Sequence, residues 1–375
     1  MNGPGREGAL RALAGDPGDV VPAALLTWDF DYTWNVAGCA PWQLACGGSG
    51  TWRRAHLALM ERHAPDMIMY LGMGSGPADP VLLAEDADRW TVQDSNTGVV
   101  YHLTKVGLSL SRADTGAKSC DPLGAITCRA DVDRLLPSAP LWQPNELEEI
   151  AGLIGDVGSR ALVLPRPSPA YINACYAIGF ESAMRMMLDD PDLFLYVVDR
   201  FRETDCAGMR QLAGAGVEAV FVSDAWASCD IISPALFDRF ALPCQASITR
   251  AAHDAGLRIV LWNEGDIRPL LAREASLPVD AFAFEQPRKG YGVTVQEVRR
   301  FFGSRRCLFG NLDSEHLLAR NEEGEIRREV ARQIEMSGPG APFVVCTGSP
   351  LPSSVPPEAV DAMITAAHDY RELGS

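Results

Sequence analysis

Short apolar runs, each closed by turn residues and followed by a longer amphipathic stretch, recur along most of this chain. The clearest is Leu257-Arg258-Ile259-Val260-Leu261-Trp262, which follows Gly256 and breaks at Asn263-Glu264-Gly265. Such a run reads as a strand buried on both faces. Comparable runs occupy 20–26, 67–71, 160–165, 217–222, 279–284, 306–309 and 342–347. Between them the apolar spacing becomes helical, over 5–15, 52–64, from 145, 179–188, 191–213, 233–240, from 243, 294–302, 324–336 and 357–373. Ser233-Pro234 supplies an N-cap with a first-turn proline, and Thr294-Val295-Gln296-Glu297 is a capping box.

Two stretches break the rhythm. Residues 89–94 and 99–104 alternate about Asn96-Thr97-Gly98, the pattern of a β-hairpin. Residues 108–145 are rich in Ser, Gly, Pro and Asp and read as loop, so about 85–145 forms a hairpin and loop excursion within a single domain spanning 1–375. Repeated strand–helix units imply an α/β fold with a parallel sheet and outer helices. A (β/α)8 TIM-type barrel with an N-terminal β-hairpin insertion fits better than an open doubly wound sheet. No GxGxxG opens a helix after the first strand, and no GxxxxGK[ST] occurs.

Charge narrows the partners. The formal net charge is −16 with no basic run, which argues against nucleic acid and anionic membrane surfaces. The N-terminus lacks an apolar leader core, and no window approaches a membrane span. Ten cysteines without a CxxC read as reduced thiols in a cytoplasmic protein.

In a barrel, residues just past the strand C-termini line the site. Here they are Trp28 and Asp29, Arg166, Asp224, Asn263 and Glu264, Glu285, Asn311 and Asp313, and Ser349, with Tyr32 and Trp226 as nearby apolar walls. Carboxylates converging on one mouth would raise at least one pKa and favour a shared proton, a cation or a cationic substrate. Asp313, just ahead of Ser314-Glu315-His316, instead suits a helix cap. None of the six histidines follows a strand, which leaves little material for a histidine zinc site or a Ser-His-Asp triad. Cys39 and Cys46 read as packing.

The order of several motifs resembles the uroporphyrinogen decarboxylase superfamily, which includes zinc-dependent methyltransferases acting on corrinoid proteins or thiols. They are Gly179-x-Glu181 with Asp190-Pro191, Ser233-Pro234-x-x-Phe237-x-x-Phe240-x-x-Pro243, His253-x-x-Gly256, Gly310-Asn311-Leu312-Asp313, and Thr347-Gly348-Ser349 to Pro356-Pro357-Glu358. The likeness covers about 160–372 well. Gly98-Val99-Val100-Tyr101 resembles the family hairpin. The resemblance implies a (β/α)8 barrel with its pocket at the C-terminal mouth.

The departures redirect the chemistry. Where the methyltransferase branch carries His-x-Cys and a later Cys as zinc ligands, this chain has Trp262, Glu264 and Ser349, of which only Glu264 is a competent ligand. Zinc in the family's usual site is therefore not expected, while another divalent ion stays open. The decarboxylase branch's basic N-terminal loop is replaced by the acidic Trp28-Asp29-Phe30-Asp31-Tyr32, which disfavours a polycarboxylate porphyrinogen. The expected function is transfer or cleavage of a methyl, alkyl or other small group on a small-molecule substrate. A metal-free decarboxylase or lyase, and an inactive ligand-binding member, are the alternatives. Catalytic roles fall to Glu264, Asp224 and Glu285. Substrate binding falls to Trp28, Asp29, Tyr32, Arg166, Trp226, Trp262, Asn263, Asn311 and Ser349. A corrinoid or thiol methyl carrier, and a homodimer, are the partners this family analogy suggests.

Overall fold

The computed structural model describes residues 3–27, 30–46, 50–70, 80–105, 110–114, 126–136, 142–287 and 290–370. Eight short parallel strands organise it: β1 Ala24–Leu25, β2 Met67–Tyr70, β3 Leu162–Pro165, β4 Ala219–Ser223, β5 Arg258–Asn263, β6 Ala281–Phe284, β7 Cys307–Phe309 and β8 Phe343–Val344. Their ladders give a three-stranded sheet ordered β1-β2-β3 and a five-stranded sheet ordered β8-β7-β6-β5-β4. A parallel bridge between Ala23 and Val345 ties β1 to the β8 edge, with the Ala24 amide on the Val345 carbonyl at 2.9 Å.

These strands are apolar on both faces because each face has its own core. Alternate residues of all eight strands (among them Ala24, Met69, Leu164, Phe221, Trp262, Ala283, Phe309 and Val344) gather in one cluster, with Phe221 edge-on to Phe309 at 6.2 Å. The intervening residues, such as Leu25, Ile68, Val222, Leu261 and Phe282, pack with the helices in a second cluster. A run with no polar alternation is what burial on both faces demands.

The helices begin largely where the sequence signals place them. Thr294 and Glu297 form a reciprocal capping box, and the Ser233 hydroxyl accepts from the Leu236 amide. Past Leu236 the chain runs into a π-helical turn over Phe237–Ala241 and then the helix Leu242–Asp254. A helix over Ala170–Ile178, unmarked in the sequence pattern, follows β3, and the stretch expected as one helix over 191–213 is divided into Pro191–Arg202 and Asp205–Gly214. The expected acidic loop after the first strand is instead occupied from Phe30 by the helix Phe30–Ala37, while Trp28 and Asp29 lie outside the described residues.

Strands Arg89–Asp94 and Val100–Thr104 pair antiparallel about the turn, and Pro80–Glu85 and Leu110–Arg112 extend them to four strands. The turn forms because Asp94 accepts from the Asn96 amide at 2.9 Å and Gly98 takes φ +72°. Among the described residues no helix is long and apolar enough to cross a membrane.

Candidate functional site

The end of β5 is built like a hinge pin. Trp262 points into the cluster shared by all eight strands, so Asn263 points the other way, toward the helices. Asn263 is fully buried and uses both ends of its amide. Its Nδ2 donates to the Ala227 carbonyl at 3.2 Å and to the Glu274 carboxylate at 2.8 Å, while its Oδ1 accepts from the Glu264 amide at 2.9 Å. Gly265 follows with φ +71°, and a Cβ there would run into Asp230 and sit 2.7 Å from the Ser228 hydroxyl. Only glycine fits so tight a turn. The Gly265 amide donates to the Glu285 carboxylate at 2.8 Å, so the acids ending β5 and β6 are drawn to the same turn.

Asp224, at the end of β4, is fully buried behind this turn. Its amide donates to the Trp262 carbonyl at 3.1 Å, and its carboxyl accepts from Gln245 Nε2 at 2.9 Å. Burial pushes its pKa up to about 7, against a smaller opposing pull from the Gln245 bond. Glu274, which no sequence signal singles out, is buried too. It is pushed up to about 8, chiefly by burial and further by Asp224, while its bond from Asn263 works the other way.

Aromatic rings flank the turn. Trp226 is met edge-on by Tyr176 at 4.8 Å and Phe180 at 4.9 Å, and its carbonyl accepts from the buried Tyr171 hydroxyl at 3.2 Å. Tyr176 and Phe180 are 51% and 46% exposed, large for apolar rings. Burial of the Tyr176 phenol raises its pKa, Arg166 opposes, and the charges of Glu264 and Asp224 raise it further. Arg166, Glu264 and Asp224 thus each act on Tyr176.

Other expected site residues are placed differently. Tyr32 is buried among the helices, its hydroxyl 2.8 Å from His63 Nε2 and its ring stacked on that imidazole. Asn311 Nδ2 donates to the carbonyls of Glu285 at 3.2 Å and Val293 at 3.1 Å, a splint between strand ends. Ser349 is buried, and its hydroxyl has no partner among the described residues. Asp313 caps its helix as its place ahead of Ser314-Glu315-His316 predicts, accepting from the amides of Glu315 and His316. Arg166 also lines a cavity of about 460 Å³ with Trp142, Glu146, Asn173, Asp205 and Met209.

A zinc cage of two sulfurs and an imidazole does not fit these side chains. Of the three corresponding positions, Trp262 is packed in the inner cluster, Ser349 offers a neutral hydroxyl, and only Glu264 offers a charged donor. Among the described residues, no three of His, Cys, Asp and Glu gather around a common metal position. The residues sequence reasoning missed, Glu274, Gln245, Tyr176 and Phe180, sit on helices. Nothing in a helical pattern distinguishes an inward acid on a one-turn helix such as Leu271–Glu274 from an exposed one.

Comparison with known proteins adds a family. The model described as uroporphyrinogen decarboxylase (URO-D) matches residues 150–370. The uroporphyrinogen decarboxylase of Syntrophotalea carbinolica is 26% identical over 247 residues, 64% of this chain and 69% of that protein. That of Alkalilimnicola ehrlichii is 29% identical over 231 residues, 60% of this chain and 59% of that protein, so the match spans only part of these relatives' length. A methyltransferase from Methanosarcina mazei superposes with a TM-score of 0.70 over 96% of this chain and 97% of that one, at 20% identity. That likeness is one of fold.

Proposed function

Because the chain belongs to the uroporphyrinogen decarboxylase family, we propose that it is an enzyme that transfers or cleaves a methyl, alkyl or other small group on a small-molecule substrate, at the end of a closed (β/α)8 barrel. The two parallel sheets, their bridge at Ala23 and Val345, and the cluster fed by all eight strands support closure. The observation that carries the site is the turn after β5, where the Glu285 carboxylate accepts from the amide of Gly265, the residue next to Glu264 in the chain.

Glu264 acts as the acid/base group or as a hard oxygen ligand. Glu285 fixes the turn, and Arg166 orients an anionic group of the substrate. Trp226 and Tyr176 wall the substrate and offer ring faces to a sulfonium or ammonium centre. Trp28 and Asp29 are proposed for the same wall from the β1 end. Asp224 contributes from behind. A methyl carrier, corrinoid or thiol, would approach over the exposed rings of Tyr176 and Phe180. The described cysteines are free thiols, which suits a reducing, cytoplasmic setting.

A second reading, a decarboxylase or lyase working without metal, draws support from Arg166. A guanidinium near a glutamate is what a carboxylate substrate losing or gaining a proton would use. The experiment common to both is crystallography of protein purified without added ligand. A small molecule bounded by Glu264, Arg166 and Trp226 supports the site, and one bound only in the Trp142–Asp205 cavity removes it.

A further inference from the structure

We infer that Asp224 and Glu274 are both neutral carboxylic acids in the folded protein, and that Glu274, through Asn263, is a positioning residue for Glu264. The positioning half rests on the role proposed above for Glu264; the protonation half does not. Each acid is fully buried, and among the described residues each has only one oxygen with a partner. Gln245 Nε2 donates to Asp224 Oδ2 at 2.9 Å and Asn263 Nδ2 to Glu274 Oε1 at 2.8 Å, while Asp224 Oδ1, Glu274 Oε2 and Gln245 Oε1 have no partner among the described residues. A carboxylic acid and a carboxamide close into a ring of two hydrogen bonds when the acid keeps its proton. One proton on Asp224 Oδ1 therefore satisfies that oxygen and Gln245 Oε1 together. Leaving buried acceptors unmatched is the costly alternative.

The described residues around the two acids supply no counter-charge. Asp224 faces the Tyr171 phenol and Cys175 thiol of helix Ala170–Ile178, the Cys244 thiol of helix Leu242–Asp254, Tyr176 further out, and Glu274 itself. Glu274 also faces the Cys229 thiol. All of these phenols and thiols are pushed up by burial and stay neutral, and among the described residues no cation acts on either acid. Two adjacent carboxylates without a cation would repel in a dry environment. Glu274 accepts from Asn263 Nδ2, and Asn263 holds the Glu264 amide; a charge on Glu274 in this dry setting would have to draw in water and would loosen the turn.

The pH dependence follows. A buried acid that keeps its proton when folded but loses it when unfolded stabilises the fold fully below the ordinary carboxylate range. That contribution is lost as pH climbs toward about 7 for Asp224 and about 8 for Glu274.

Asp224→Asn and Glu274→Gln test this without removing a bond, because an amide at 224 can form the same ring with Gln245. The thermal midpoint of the wild-type protein should fall from about pH 5 to about pH 9, and the double variant should lose most of that slope. Parallel slopes overturn the inference. Infrared spectroscopy at neutral pH should show the carbonyl stretch of buried protonated carboxyls, diminished in each single variant; its absence in the wild type overturns it equally. For positioning, hydrogen exchange at the Glu264 and Gly265 amides should accelerate beyond its intrinsic pH dependence in the wild type and not in the double variant. Intrinsic behaviour in both removes the positioning role. None of these readouts measures turnover, so they fail separately from the proposed function.

Discussion

Replacing Asn263 with alanine removes the side chain on which the β5 turn hangs. The change deletes the donations to Ala227 at 3.2 Å and to Glu274 at 2.8 Å and the acceptance from Glu264 at 2.9 Å. A net intramolecular hydrogen bond contributes about 1 kcal/mol, and each buried group left without a partner costs about 1 to 3 kcal/mol. The Glu264 amide can recover water because the turn is partly open, whereas the Ala227 carbonyl and Glu274 carboxyl cannot. The expected loss is therefore about 3 to 5 kcal/mol, a large share of the roughly 5 to 15 kcal/mol that holds a domain together. Urea unfolding followed in parallel by tryptophan fluorescence and circular dichroism measures it, and coincident curves license the free energy. Asn263→Asp is the companion. It keeps the acceptor for Glu264 but sets a third carboxyl beside two buried ones, so its deficit should widen as pH rises. A loss below about 1 kcal/mol for Asn263→Ala, with no pH trend for Asn263→Asp, would refute the network.

Two further substitutions separate scaffold from site. Gly348→Ala places a Cβ against the Gln286 amide nitrogen and 2.7 Å from both the Gln286 Cα and the Glu285 carbonyl carbon. Backbone cannot swing aside as a side chain can, so the β6 and β8 ends must part. Urea unfolding should show a loss of at least about 2 kcal/mol. Asp66→Ala acts at the opposite face, where one carboxylate accepts from the amides of Gly5 at 2.7 Å and Ala23 at 2.8 Å and from His368 Nε2 at 2.7 Å. It should cost about 3 to 5 kcal/mol by the same assay while leaving ligand binding per folded molecule unchanged.

The strands were legible because burial on both faces leaves an unbroken apolar run that little else produces, as at 259–262. The caps at Ser233, Thr294 and Asp313 were legible because they are local, each a side chain answering an amide two or three residues away. Contacts made across the chain were not. Asn263 and Trp262 are neighbours in sequence, yet one serves the helices and the other the inner cluster, a choice set by strand parity that a loop-ward count misjudges. Asp224 reads as a mouth residue from its position after β4, but the structure buries it behind the turn. Glu274 lies among Arg268 and Arg273 on a stretch that looks solvated, and only the fold shows that it turns inward to Asn263. Tyr32 follows β1 closely enough to suggest a wall, but a helix starting at Phe30 carries it to His63.

The central claim is that the turn after β5 presents Glu264 as the working group of a site shared with Glu285, Arg166 and Trp226. Its most direct test is the rate of Glu264→Gln on whatever small molecule the wild-type protein consumes, with the circular dichroism spectrum and unfolding midpoint measured alongside. The isosteric amide keeps shape and removes charge and proton. A fall of about 100-fold or more with an unchanged fold is the predicted result. A rate close to that of the wild type would contradict it.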